Sequence, residues 1–315
     1  MFGGHRRFLQ GFLFLFMLML VSAVNAADER VLPSKEEIAS RMELVREIKE
    51  FEARLGWKPT KNFERYEGPL PTYDYCVRSG KFGFTLSWKE STKEECAAAE
   101  REYDAEFYQF EALARIETPL SRSMVSADLA RFIMVVFHEE YHEQVTGISS
   151  RSLDESAAML MGLLVAREFA REKYGENSEV YRVLASDMKA TFLDAQIEKR
   201  YHDKLTRLYE EVAQGRVGHG EGLKKKSELY RAMLDECKSV SLATAISCTS
   251  ITNNAIFGNS FDYAKHYPLF YDLHEHCGGD VGRTDSIIVG LASEGLTEED
   301  FVHRVNDMIK KGCKS

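Results

Sequence analysis

His138 and His142 stand four residues apart with Glu139 directly after the first, giving the pattern His-Glu-x-x-His. On a helix, residues at i and i+4 share a face, so both imidazoles can reach one divalent ion. Glu139 would then lie beside the open coordination position, where a carboxylate can take a proton from polarised water. A catalytic zinc needs a third protein ligand, and His2Glu plus water is one of its standard sets. Glu155, in Leu153-Asp154-Glu155-Ser156 a short loop further on, is the best candidate. A histidine in that role is disfavoured, because Ile148 stands where the metzincin continuation places its third histidine. The competing reading is a solvated Glu/His face on a core helix.

A metal site of this kind needs two helices packed closely, and the chain supplies them. Leu129, Phe132, Ile133, Val135, Val136 and Phe137 precede the histidines, predicting a helix buried on several sides. Ser126 or Ser123 is expected to cap it, with Asp128 near its positive end. Past Gly147, residues 153–172 form a second apolar helical pattern, in which Ser156, Ala157, Ala158 and Gly162 permit close approach to a neighbour.

The rest of the chain reads as mainly α-helical. Ile38, Met42, Val45, Ile48 and Leu55 recur at helical spacing, ended by Gly56 and Pro59. Long amphipathic patterns fill 177–213 and 221–240, no proline occurs between Pro119 and Pro268, and a last helix is expected over about 297–310. Residues 92–116 also read as helix, with Tyr103, Phe107, Phe110 and Leu113 as its core stripe. One β-hairpin is expected between Thr72 and Trp88: Tyr73, Tyr75 and Val77, then Phe82, Phe84, Leu86 and Trp88, alternate around a turn at Arg78-Ser79-Gly80-Lys81.

Residues 1–26 read as a signal peptide: Arg6 and Arg7, an uncharged apolar run from Phe8 to about Val21, and small residues at Val24-Asn25-Ala26. The run is short for a membrane anchor, the competing reading, and no stable membrane span is expected after cleavage. The mature chain, 27–315, is then one domain, placed in the periplasm or outside the cell. It keeps 39 basic and 50 acidic residues, a balance that disfavours nucleic acid and anionic membrane as partners. All six cysteines fall after residue 26, and an even count in an exported protein suggests disulfides. Sequence proximity pairs Cys76 with Cys96, Cys237 with Cys248, and Cys277 with Cys313. No acidic loop of EF-hand spacing and no glycine-rich phosphate loop is present.

The segments HEEYHEQ and LDESAAMLMG resemble the predicted bacterial zinc aminopeptidases, exported gluzincin-like proteins whose His-Glu-x-x-His-Gln is followed at this interval by an Asn-Glu-Ser-Phe-Ala-type segment. The likeness extends to RYHDKLTRLYEE, to NNAIFGNSFDYAKHYPLF and to KEFEARLGWKPTKNFERY, and so covers most of the mature chain. The resemblance implies Zn2+ on His138, His142 and Glu155, Glu139 as base, and a peptide or protein substrate. Tyr263, at the family's tyrosine after Asn253-Asn254-Ala255, becomes the candidate for stabilising an oxyanion, with His266 as second choice and a simply packed aromatic as the alternative. The chain departs from the pattern at Asp154 (Asn in the family), at Glu143 (Gln), and over 89–125, where the family's aromatic, glycine-rich stretch is missing. The expected protein is a mainly α, zincin-like helical domain with a small N-terminal β-hairpin or sheet, working as a zinc aminopeptidase. An exported binding or assembly protein with a structural or decayed zinc site is the alternative.

Overall fold

The computed structural model describes residues 32–68, 73–110, 112, 117–240 and 248–313. The expected signal peptide lies outside them. The fold is mainly α-helical with one small antiparallel sheet. Its helices are α1 (Lys35–Leu55), α2 (Lys93–Ala99), α3 (Arg122–Val125), α4 (Leu129–Gln144), α5 (Arg151–Tyr174), α6 (Glu179–Ala213), α7 (His219–Val240), α8 (Asn254–Ala264), α9 (Tyr267–His276), α10 (Val281–Ser293) and α11 (Glu298–Lys310). The strands are β1 (Tyr73–Ser79), β2 (Leu86–Glu90) and β3 (Asp104–Phe110). Among the described residues, no helix is long and apolar enough to cross a membrane.

Local chemistry sets the helix ends. A capping box between Ser34 and Glu37 starts α1, and Gly56 ends it in the left-handed conformation at φ 82°. Asp128 caps α4, its carboxylate accepting from the Arg131 amide at 2.9 Å, while Ser123 and Ser126 belong to α3 and its end. The expected serine cap is thereby corrected: a separate turn capped by Ser121 uses up those serines.

The sheet departs from expectation in two ways. The hairpin exists, pairing Val77 with Trp88, but its second strand begins at Leu86. Phe82 and Phe84 stay in the connecting loop and pack on Tyr209 at 5.6 and 5.2 Å, joining a core formed by α6, α7 and α8. The helix expected over 92–116 ends at Ala99, and Asp104–Phe110 forms a third strand paired along all of β1, in the order β2-β1-β3. The 103, 107, 110 spacing fits a helix, but Glu106, Tyr108 and Phe110 also alternate as a strand does. Pairing with β1 decides between them, while Cys96 is tied back to Cys76 and Tyr103 is left exposed. Leu113, the last residue of that stripe, lies outside the described residues.

Three cysteine pairs stand at disulfide distance, Cys76–Cys96, Cys237–Cys248 and Cys277–Cys313, as sequence proximity indicates. Such bonds persist in oxidising compartments.

The Asn253-Asn254 pair explains how the sheet is fixed to the helices. Asn253 caps α8, accepting from the amides of Ala255 and Ile256 at 2.9 and 3.0 Å. Asn254 is fully buried; its Nδ2 donates to the carbonyls of Gly80 and Gly83, both at 2.9 Å, and its Oδ1 accepts from the hydroxyls of Tyr209 and Tyr230 at 2.5 and 2.6 Å. Asn254→Ala leaves the buried Tyr209 and Tyr230 hydroxyls without this partner at about 1–3 kcal/mol each, so a loss of roughly 2–6 kcal/mol is expected in denaturant unfolding. A loss under about 1 kcal/mol would mean that this hub does not hold the hairpin loop.

Candidate metal centre

α4 and α5 lie side by side, and the small residues of α5 set their distance. A Cβ added at Gly162 would stand 3.1 Å from the Cα of His138 and 3.2 Å from its Cβ. Glu155 lies seven residues before Gly162, two turns along the same face. The face that meets α4 at Gly162 therefore carries Glu155 toward the histidines.

His138, His142 and Glu155 converge and can hold a metal ion. The two Nε2 atoms are 3.2 Å apart, and Glu155 Oε2 is 3.5 Å from the first and 3.4 Å from the second. A point equidistant from these three atoms lies about 2 Å from each, and zinc bonds nitrogen and carboxylate oxygen at about 2.0–2.2 Å. Glu155 Oε2 and His138 Nδ1 are buried without a hydrogen-bond partner. A buried carboxylate oxygen in that condition, aimed between two imidazole nitrogens, fits a cation.

His142 Nδ1 contacts Asp154 Oδ1 at 2.8 Å. That contact fixes the ring and, when Nδ1 carries the proton, leaves the Nε2 lone pair to face the other two atoms. Burial works against charge on His142, yet Asp154 and Glu155 raise its pKa to about 10. Burial likewise opposes ionisation of Glu155, and the two histidines outweigh it and hold the carboxyl well below the usual range.

The two glutamates of the motif part company. Glu140 turns away into a buried network, where Oε1 meets Lys49 Nζ at 3.0 Å and Oε2 accepts from the Thr60 hydroxyl at 2.5 Å. Glu139 stays with the triad; burial raises its carboxyl, while His138 and His142 pull it back. Tyr263, on α8, stacks on the His138 ring at 5.9 Å with 27° between planes. His266 is not brought to the triad: its Nε2 faces Glu298 Oε1 at 2.9 Å, and its amide donates to Ser156 Oγ at 3.1 Å.

Sequence reasoning passed over Arg151 and Asp262. Arg151 Nη2 lies 3.3 Å from Glu155 Oε1, its Nε donates to Asp262 Oδ2 at 2.8 Å, and its guanidinium sits 4.7 Å over the Trp88 ring. One signal was available, since Arg151 is four residues before Glu155 and shares its helix face.

A family model described as "Putative aminopeptidase" matches residues 84–300, more than half of the chain, including the triad, Glu139, Arg151, Asp262 and Tyr263. The chain belongs to this family. No curated protein and no solved structure matches it significantly. Within this aminopeptidase family member, the match spans β2 to the start of α11, so α1 and β1 lie outside it.

Behind Tyr263, α6 contributes Thr191, Asp194 and Glu198 to a small cavity that Ser260 of α8 also lines. Glu198 is fully buried and accepts from Ser260 Oγ at 3.0 Å; burial, and less so Asp194, raises its pKa from 4.5 to about 8. A carboxyl with a raised folded pKa adds stability that is complete below about pH 4.5 and lost as pH rises through about 8, at ~1.4 kcal/mol per unit. Unfolding free energies from about pH 5 to 8 are expected to decline in wild type and to flatten in Glu198→Gln. Parallel curves would rule Glu198 out as the cause.

Proposed function

We propose that this chain is an exported zinc peptidase of the aminopeptidase type, with residues 27–315 as one catalytic domain. The observation that carries the reading is the convergence of two Nε2 atoms and Glu155 Oε2 on one point, with Glu139 beside it. His138, His142 and Glu155 would hold the zinc, which supplies a Lewis acid and lowers the pKa of water to about 7. Glu139 accepts the proton from the attacking water and passes it to the leaving amine. Its carboxyl is half-buried, and burial raises its affinity for the proton it takes. Burial and the nearby Glu155 raise the Tyr263 hydroxyl well above its ordinary pKa, so it stays protonated and can donate to the carbonyl oxygen as that oxygen gains charge. Three disulfides and the N-terminal signal pattern support export to the periplasm or beyond.

The test is metal analysis of natively purified protein beside peptide hydrolysis with and without a chelator. One zinc per chain, activity lost on chelation and restored by zinc, is the expected result. Wild type and His138→Ala both free of zinc would instead favour a binding or assembly protein.

A further inference from the structure

An aminopeptidase must hold a free α-ammonium group close to the scissile carbonyl, since that grip separates it from an endopeptidase. A carboxylate is the natural partner, and few around this triad are free for the task. Glu155 Oε2 faces both histidines, Asp154 is engaged with His142 Nδ1, and Glu139 is reserved for proton transfer. Glu140 points away to Lys49 and Thr60. Asp262 remains.

Asp262 directly precedes Tyr263, the residue stacked on His138, so both come to the triad from the same helix. Its side chain is 23% exposed, open to a ligand but sheltered enough to make a charge contact count. Only one of its two oxygens is engaged by the protein among the described residues: Oδ2 accepts from Arg151 Nε at 2.8 Å. Arg151 reaches Glu155 Oε1 with Nη2 at 3.3 Å, which sets Asp262 one guanidinium's width from the third ligand of the triad. Trp88, 4.7 Å beneath the guanidinium, keeps Arg151 from swinging away. A substrate's α-amine lies only two bonds from the carbonyl carbon under attack. A short reach from the triad is therefore what the amine requires, and Oδ1 is the acceptor at that reach.

Resting on the reading of this chain as a zinc peptidase, we propose that Asp262 binds the free α-ammonium group of the substrate through Oδ1, with Arg151 holding the carboxylate in place through Oδ2. The substrate class is peptides with an unblocked N-terminus. Asp262 discriminates through one charged contact, made by a free amine and lost by an acetylated one, which is a difference of affinities rather than a change in the reaction itself.

The experiment compares zinc-loaded wild type, Asp262→Asn and Asp262→Glu on one leucyl peptide, free and N-acetylated. Calorimetric binding of leucine amide and N-acetyl-leucine amide, zinc content and thermal melting are measured alongside. Wild type is expected to prefer the free peptide by about 100-fold in kcat/KM, the scale of one charge-assisted hydrogen bond. In Asp262→Asn the preference falls below about 10-fold, mainly through KM, and leucine amide loses its advantage in binding; Asp262→Glu, which keeps the charge, restores part of both. Asp262→Asn with unchanged zinc and melting but undiminished preference overturns the assignment while leaving the peptidase reading intact. Wild type that cleaves both peptides equally and binds both amides equally also overturns it and makes the protein an endopeptidase. Wild type that holds zinc yet cleaves neither and binds neither brings down the peptidase reading and this inference together.

Discussion

Glu139→Gln is expected to cut kcat/KM for peptide hydrolysis by about 10²–10⁴-fold while leaving zinc content and melting temperature unchanged. The size follows from what the side chain does. Glu139 makes no contact that positions the two histidines, because those are set by α4, by Asp154 and by the packing of Gly162 against His138. In the proposed mechanism its carboxylate is the proton acceptor, and glutamine keeps the shape and burial but cannot take a proton. Glu140→Gln is the built-in contrast. Its neighbour in sequence is bonded to Lys49 and Thr60 on the other side of the helix, so that change should reduce stability and spare the chemistry. If Glu139→Gln retained more than about a tenth of wild-type activity, another base would be at work.

How much of this could be read before the structure depends on range. His138, His142 and Glu139 sit on one helix, where spacing alone fixes relative direction, and Glu155 follows after a short loop onto a neighbour with small residues. Their convergence is therefore written in local pattern. Arg151 and Asp262 were not legible in that way. Asp262 comes from α8, far along the chain, and nothing local announces that α8 will lie against α5. The sheet shows the same limit: β3 has a spacing that suits either period, and only its pairing with β1, anchored by Cys76–Cys96, selects the strand. In the sequence Asn254 reads only as part of the Asn-Asn-Ala signature, and the structure gives it a mechanical role as the hub joining the hairpin loop to α6, α7 and α8.

The triad and its surroundings also separate two tasks that the motif alone merges. In the proposed mechanism, holding an ion falls to two imidazoles and one carboxylate, and choosing a substrate falls to groups at the rim. Arg151 touches both sets, through Glu155 Oε1 and Asp262 Oδ2. Changes at the rim should therefore be read first in KM and in selectivity, and changes in the triad first in metal content.

His142→Ala should abolish metal retention, and with it hydrolysis, without unfolding the chain. Two ligands remain, His138 and Glu155, too few to close a tetrahedral site around zinc. The pH dependence of metal binding tests the same geometry more finely. In the metal-free protein Asp154 and Glu155 hold a proton on His142 up to about pH 10, so a metal entering at lower pH must displace it. Metal affinity should therefore rise with pH by about tenfold per unit between roughly pH 6 and 9, whereas Glu155, already ionised throughout, contributes no proton. Asp154→Asn acts with two signs. It removes the anion that orients His142, which should cost about 10–100-fold in affinity at high pH. It also removes part of the pull that keeps the competing proton, so the deficit should shrink as pH falls. Zinc titrations of both proteins across that range would decide the matter: affinity in wild type that does not change with pH would mean that His142 is neutral before the metal arrives, and that Asp154 only orients it.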